Sequence, residues 1–231
     1  MANEVDPFPE FQGTARLFPL PNLVFFPHAL QPLHIFEMRY RTLLADALAD
    51  DRIIALVLLQ PGWEQNYDSK PAIHQIACLG RIIGDQLLPD GRSNILLRGL
   101  TRVRIQSECE DEKPYRSAHA EILYDIDDVP LPKLMRLRQE METKIIPKFG
   151  DSVLAKHLHD LFHGEMSLGA LCDVLTFALP FPIMEKQKIL EELHISIRAQ
   201  LLLSNFASVL DQVYMPAPVV PRKYPPEFSA N

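Results

Sequence analysis

The spacing of apolar residues changes near residue 130, and this change constrains the fold more than any other feature of the chain. Before about Asp125 the apolar residues come in short runs or alternate with polar ones. "RIIALVLL" (52–59) is an unbroken run, fit for a strand covered on both faces. In "TRVRIQ", Val103 and Ile105 alternate with Arg102, Arg104 and Gln106, the period of a half-buried strand. From Leu131 the period becomes helical: Leu134, Leu137, Met141 and Ile145 form one stripe, ended by Pro147. Strands followed by helices predict an α+β architecture, a β-rich half and then a helical bundle.

Residues 17–40, "LFPLPNLVFFPHALQPLHIFEMRY", are apolar enough for a core but are cut by Pro19, Pro21, Pro27 and Pro32. Prolines confine such pieces to edge or bent strands. Phe25 and Phe26 are adjacent, so in a strand they point oppositely, and one of them is expected to face outward into a groove. A helix follows from Phe36 to Leu48, with Phe36, Tyr40, Leu43, Leu44, Ala47 and Leu48 on one stripe. Glu37 sits in its first turn, where a carboxylate can accept backbone N–H groups. "PDG" (89–91) predicts a turn between two strands, and "PGWEQNYDSKPAIH" (61–74) a long loop carrying Trp63 and Tyr67.

In the second half, "DSVLAKHLHDLFH" begins with a capping Asp or Ser, and "SLGALCDVLTFAL" begins at Ser167 and stops at Pro180. The expected division is a loose arm over 1–13, a β-rich unit over 14–128, a helical unit over 129–213 and a proline-rich tail over 214–231. Charge supports two unlike halves: residues 1–128 hold 12 Lys+Arg and 19 Asp+Glu, and residues 129–231 hold 11 of each. The net charge of −7 opposes a non-specific grip on nucleic acid. Arg98, Arg102 and Arg104 beside Glu108, Glu110, Asp111 and Glu112 read as a solvated mixed surface.

Several chemistries are excluded by spacing. None of the nine glycines precedes a lysine, so there is no phosphate loop, and neither GxSxG nor GxGxxG occurs. Cys78, Cys109 and Cys172 have no CxxC spacing and read as free thiols of a reducing compartment. There is no signal h-region and no apolar window of membrane-spanning length, so a cytoplasmic protein is expected. His159 and His163, four apart around Asp160, share a helix face as zincin histidines do, but no third ligand is identifiable. They read as a surface face, with no metal and no cofactor expected.

The motifs Phe18-Pro19-Leu20, Phe26-Pro27, Pro32-Leu33-His34-Ile35-Phe36-Glu37 and Arg39-Tyr40 resemble the start of the Lon protease N-terminal, substrate-binding domain. The likeness is greatest to its standalone bacterial versions and extends to the related domain of cereblon. "LPDGRSNILLRGLTRVRI" resembles the family's turn glycine followed by an arginine-bearing strand, here Gly99 through Arg102. The segment ending "MEKQKILEELHISIRAQLLL" resembles its helical half, with Lys186, Gln187, Leu190, Glu191 and Arg198 in place. "LHISIR" lacks the Asp-Val that the family often has there, leaving Ser196 to cap the helix.

The resemblance covers roughly residues 14–212 and implies a PUA-like pseudo-barrel packed on a helical bundle. It makes Pro32, Phe36, Glu37, Arg39 and Tyr40 a structural motif. In Lon this part recognises unfolded polypeptide and helps assembly. The expectation is therefore a non-catalytic module for extended or unfolded polypeptide, without ATPase or peptidase activity. Its site is expected near Phe25, Phe26, Trp63 and Tyr67, with another protein or an ATPase as a further partner. Two alternatives remain: a metal-dependent hydrolase using His159 and His163, and an RNA-binding PUA-like domain, against which the acidity of the β-rich half weighs.

Overall fold

In the computed structural model, which describes residue 8 and residues 10–66 and 70–213, six strands form one sheet. They are β1 (Thr14–Leu20), β2 (Leu30–Ile35), β3 (Ile53–Leu58), β4 (Ile76–Leu87), β5 (Ser93–Glu108) and β6 (Ser117–Leu123). The order β2-β5-β4-β3-β1-β6, with β5 also pairing β6, closes five strands into a ring. Strand β1 runs parallel to β3, and the other pairings are antiparallel. At 16 residues β5 is long enough to serve two neighbours on one side, β2 with its first half and β6 with its second.

Alternation fills the ring. Ala15 and Leu17, Ile53, Ala55 and Val57, Ala77 and Leu79, Val103 and Ile105, and Ala118 and Ala120 form one buried cluster. They come from five strands at a spacing of two, so they share the inner face. So many alanines fit because a five-stranded ring has little interior volume. The intervening residues Ile54, Leu56 and Leu58 of β3, with Cys78 and Ile82 of β4, belong to a second cluster outside the ring. All six residues of β3 are therefore buried, as its unbroken apolar run predicts.

The proline-cut segment has a different role from the expected one. Residues 21–29 are not a strand, and Phe25 and Phe26 are both in the core, at 1% and 0% exposure. No groove receives either. A Cβ added at Gly80 would lie 2.8 Å from Cε1 of Phe25, and one at Gly99 would overlap the carbonyl oxygen of Phe26. Gly80 and Gly99 are register partners at an irregularity in the β4–β5 ladder. The two glycines thus leave the space that the Phe25–Phe26 segment occupies. Backbone bonds from His28 N to Gly99 O and from Gly99 N to Ala29 O fix it there. Gly99 is accordingly a mid-strand glycine and not a turn glycine. The turn belongs to Gly91, with φ of 81°, as "PDG" requires.

The embedded helix α1 spans Met38–Ala49 and buries Tyr40, Leu43, Leu44 and Ala47. Phe36 precedes it and is 60% exposed, so it is not part of the stripe. Glu37 occupies the N-cap position without a side-chain cap bond. Its carboxylate accepts from Arg39 Nε at 2.9 Å, and its backbone carbonyl accepts from the N–H groups of Tyr40 and Arg41. The expected carboxylate cap is therefore replaced by an ion pair.

Five helices follow: α2 (Leu131–Ile145), α3 (Val153–His163), α4 (Leu168–Ala178), α5 (Ile183–Glu191) and α6 (Ile195–Val213). Ser152 and Ser167 cap α3 and α4, accepting from Ala155 N and Ala170 N. Arg138 of α2 donates to the carbonyls of Leu161, Phe162, Gly164 and Met166, covering the orphan groups at the end of α3. Ser196 does not cap α6. Asp128, 68 residues earlier, accepts from both the backbone N–H and the hydroxyl of Ser196. One apolar cluster runs from Phe25, Tyr40 and Leu56 through Met141, Leu171 and Leu202, so strands and helices share a core.

Candidate functional site

The buried polar groups come first, because they separate architecture from a site. Arg102 of β5 is 2% exposed, which corrects its reading as a surface residue. Its guanidinium holds Asp173 of α4 with two bonds of 2.9 and 2.5 Å, and Nε donates to Leu190 O. Arg198 of α6, 0% exposed, donates to Asp173 at 3.2 Å and to both carboxylate oxygens of Asp125. Its Nε donates to Glu192 O at 3.1 Å. Two arginines and two aspartates therefore join barrel to helices, with Asp173 shared between the cations. Charges satisfied in this way hold a structure together: Arg102, Asp173 and Arg198 are buried, and the part-exposed Asp125 closes the cluster at its rim.

Cys78 and Cys172 lie beside this seam at 0% exposure. Burial pushes both thiols far above their ordinary range, which makes them inert.

The accessible features lie at the barrel's edge. Among the described residues, β2 is the one strand paired on a single side. Leu30 at its start is 53% exposed, and Phe36 and Met38 just beyond it are 60% and 69% exposed. His34 bonds Asn94 across the β2–β5 pair at 2.7 Å, and its ring stacks on Phe36. Pro32 sits mid-strand, where an edge tolerates a residue without an N–H. Beside this edge, a groove of about 520 Å³ runs between α1 and the β4–β5 turn. Met38, Leu44, Leu48 and the exposed Leu87 line it.

A second cleft, of about 430 Å³, lies between the opening stretch and the flanks of the 61–74 loop. Pro19, Arg39 and Tyr40 face Leu59, Lys70 and Pro71, with Tyr115 and Arg116 completing the wall. Its charges are largely paired. Tyr115 Oη donates to Asp46 at 2.5 Å, and Lys113 Nζ donates to both. Those bonds hold the Asp46 carboxyl below its usual range, while burial pushes the Tyr115 phenol up. Arg116 forms a two-toothed pair with Glu108.

The expected site residues scatter accordingly. Phe25 and Phe26 are core. Trp63 is half-buried in a single 3-10 turn over Trp63–Asn66, and Tyr67 lies outside the described residues. Pro32, Phe36, Glu37, Arg39 and Tyr40 do gather at the junction of β2 and α1. Sequence reasoning missed Leu30, Met38 and Leu87. The available signal was an apolar residue at a strand end or in a turn, where burial is not required.

A closed barrel with one open edge, tied to a helical half by buried charges, defines a scaffold with an accessible apolar rim. The sequence profile of the ATP-dependent protease La (LON) substrate-binding domain matches residues 14–205, and the chain belongs to that family. It is 27% identical over 192 residues to the Lon protease of Anaeromyxobacter dehalogenans, covering 81% of this chain and 22% of that one. It is 27% identical over 206 residues to the Lon protease of Dictyoglomus thermophilum, covering 86% and 24%. The matched region thus spans about a quarter or less of those relatives. The Lon N-terminal domain protein from Xanthomonas campestris superposes with a TM-score of 0.60 at 22% identity, covering 83% of this chain and 97% of that one. The N-terminal domain of Mycobacterium avium complex Lon protease gives 0.64 at 13%, covering 84% and 98%. These structures share the fold, a mixed α+β arrangement of a ringed sheet and helices. No helix among the described residues is long and apolar enough to cross a membrane.

Proposed function

We propose that the protein is a non-catalytic binding module for extended or unfolded polypeptide, and that the open edge of β2 is where the chain is held. Membership of the substrate-binding family supports a substrate-binding role. The observation that carries the finer reading is the coincidence of a one-sided strand with exposed Leu30, Phe36 and Met38. An extended chain can pair with such an edge through its backbone, whatever its sequence, and bury alternate side chains against the rim. Pro32 supplies no N–H, and the Gln31 side chain already covers the Pro32 carbonyl, so the added ladder is short. That favours weak, reversible capture and limits edge-to-edge self-association. The cleft that Arg39 and Tyr40 share with Leu59 and Pro71 adds a second surface at the start of α1.

Casein, an unfolded chain, serves as probe. Its addition is expected to shift the emission of Trp63, the single tryptophan. Replacing Leu30, Phe36 and Met38 together by serine should weaken casein binding about 10-fold or more while leaving the fold intact, as loss of exposed apolar anchors does. Trp63→Ala should weaken it by about 1–2 kcal/mol. Unchanged affinity in the triple variant would place the contact elsewhere, and absence of any casein binding by the wild type would reject the polypeptide reading itself.

A further inference from the structure

We propose that Glu142, His159 and His163 form a site for a divalent late first-row transition cation of the zinc class, clamping α2 to α3. His159 and His163 lie one turn apart on α3, with rings stacked 4.0 Å apart at 14°. The sequence offered these two and no third ligand. The fold supplies one from another helix: Oε1 of Glu142 lies 3.6 Å from Nε2 of His163. One donor atom from each of the three residues lies within 4.8 Å of the others. Two donors on a tetrahedral zinc sit roughly 3.3 Å apart, given bonds of about 2.0–2.2 Å. The Glu142–His163 pair is close to that spacing already. The His163 side chain is 54% exposed and that of Glu142 29%, so small rotations close the set.

Hydrogen bonding prepares the donor. Nδ1 of His163 lies 3.0 Å from the backbone carbonyl of His159. A carbonyl only accepts, so Nδ1 is the nitrogen that donates in that contact, and Nε2 is the one turned toward the Glu142 carboxylate. A ligand imidazole whose other nitrogen is held by a carbonyl is the usual support of a bound metal.

The helix pair is also fixed in place. Arg138 and Glu142 are four apart on α2 and share a face. Arg138 grips the end of α3 through its four carbonyl contacts, which sets Glu142 against His163. Two imidazoles and a carboxylate suit zinc, nickel or copper ahead of magnesium or calcium. Water would complete the coordination of so exposed a site.

The test uses tag-free full-length protein and zinc chloride, with dialysis followed by metal analysis and calorimetric titration. One zinc per chain is expected, with a rise in melting temperature, because an ion that binds only the folded state stabilises it. His159→Ala and His163→Ala should each lower affinity by about 100-fold and Glu142→Gln by about 10-fold, matching or exceeding supporting-shell losses. Each should reduce the thermal shift at a fixed zinc concentration, with unchanged circular dichroism. If an alanine variant fails to fold, His163→Gln replaces it with a residue of similar length. Cobalt-loaded protein should show no thiolate charge-transfer band. Absence of stoichiometric zinc, a thiolate band, or zinc affinity unchanged in the three variants would overturn the proposal.

Discussion

The interior of the barrel and the seam between barrel and helices are equally buried, yet they are made of opposite materials. The first holds Ala15, Ala55, Ala77, Leu79 and Val103. The second holds Arg102, Asp173 and Arg198. Inside the ring, each strand contributes residues at a spacing of two, and many apolar side chains would serve if the volume were kept. At the seam, each guanidinium has particular partners from three or four elements, so only one arrangement satisfies the charges. The difference teaches where the two halves acquire their relation: the apolar packing makes burial favourable, and the paired charges penalise misplacement.

Breaking the seam should have the largest effect. Arg198→Met should destabilise by about 3–5 kcal/mol in urea unfolding, because it strands Asp173 and Asp125 beside fewer cations. Replacing Arg102, Asp173 and Arg198 together by apolar residues should cost much less than the sum of the single losses, as for other buried ion clusters. If the triple variant costs the full sum, the charges act independently and the comparison fails.

Overfilling the sheet comes next. Gly99→Ala brings a methyl group against the Phe26 carbonyl and should cost about 1–3 kcal/mol, the range for overpacking. A neutral result would show that the Phe25–Phe26 segment can shift, and that its contact with the sheet is loose.

Asp128→Ala should cost about 1 kcal/mol, the usual loss of a helix cap. It also sharpens the pH dependence. The hydrogen bond from Ser196 holds the Asp128 carboxyl below its ordinary value of 3.8. Its contribution is therefore full above the unfolded-state value and is lost as pH falls through the folded one. The variant should lack that part of the acid sensitivity, measured as melting temperature between pH 6 and about pH 3.

The smallest stability effect is expected at the rim. Phe36→Ala should change unfolding free energy by no more than about 0.5 kcal/mol, because Phe36 is mostly exposed. Its effect should fall on casein binding. A large stability loss there would make Phe36 part of the fold and remove the contrast between rim and core.

The sequence alone determined the elements. Alternation placed the barrel strands, "PDG" placed the turn at Gly91, and the Asp-Ser pair at 151–152 and Ser167 marked helix starts, because each rests on contacts within a few residues. The family was legible too, in ordered short motifs from Phe18 to Arg198. What only the tertiary structure decided depends on partners distant in the chain. Phe25 and Phe26 could be assigned to core only once Gly80 and Gly99 were seen beneath them. Arg102 looked like a surface residue until α4, α5 and α6 covered it. Phe36 left the helical stripe because α1 begins two residues later. Asp128 capped a helix 68 residues away, and Glu142 met two histidines across a helix pair. Periodicity reports which face of an element is apolar. It carries no record of which other element arrives on that face, and the charged seam, the open rim and the histidine cluster all depend on that arrival.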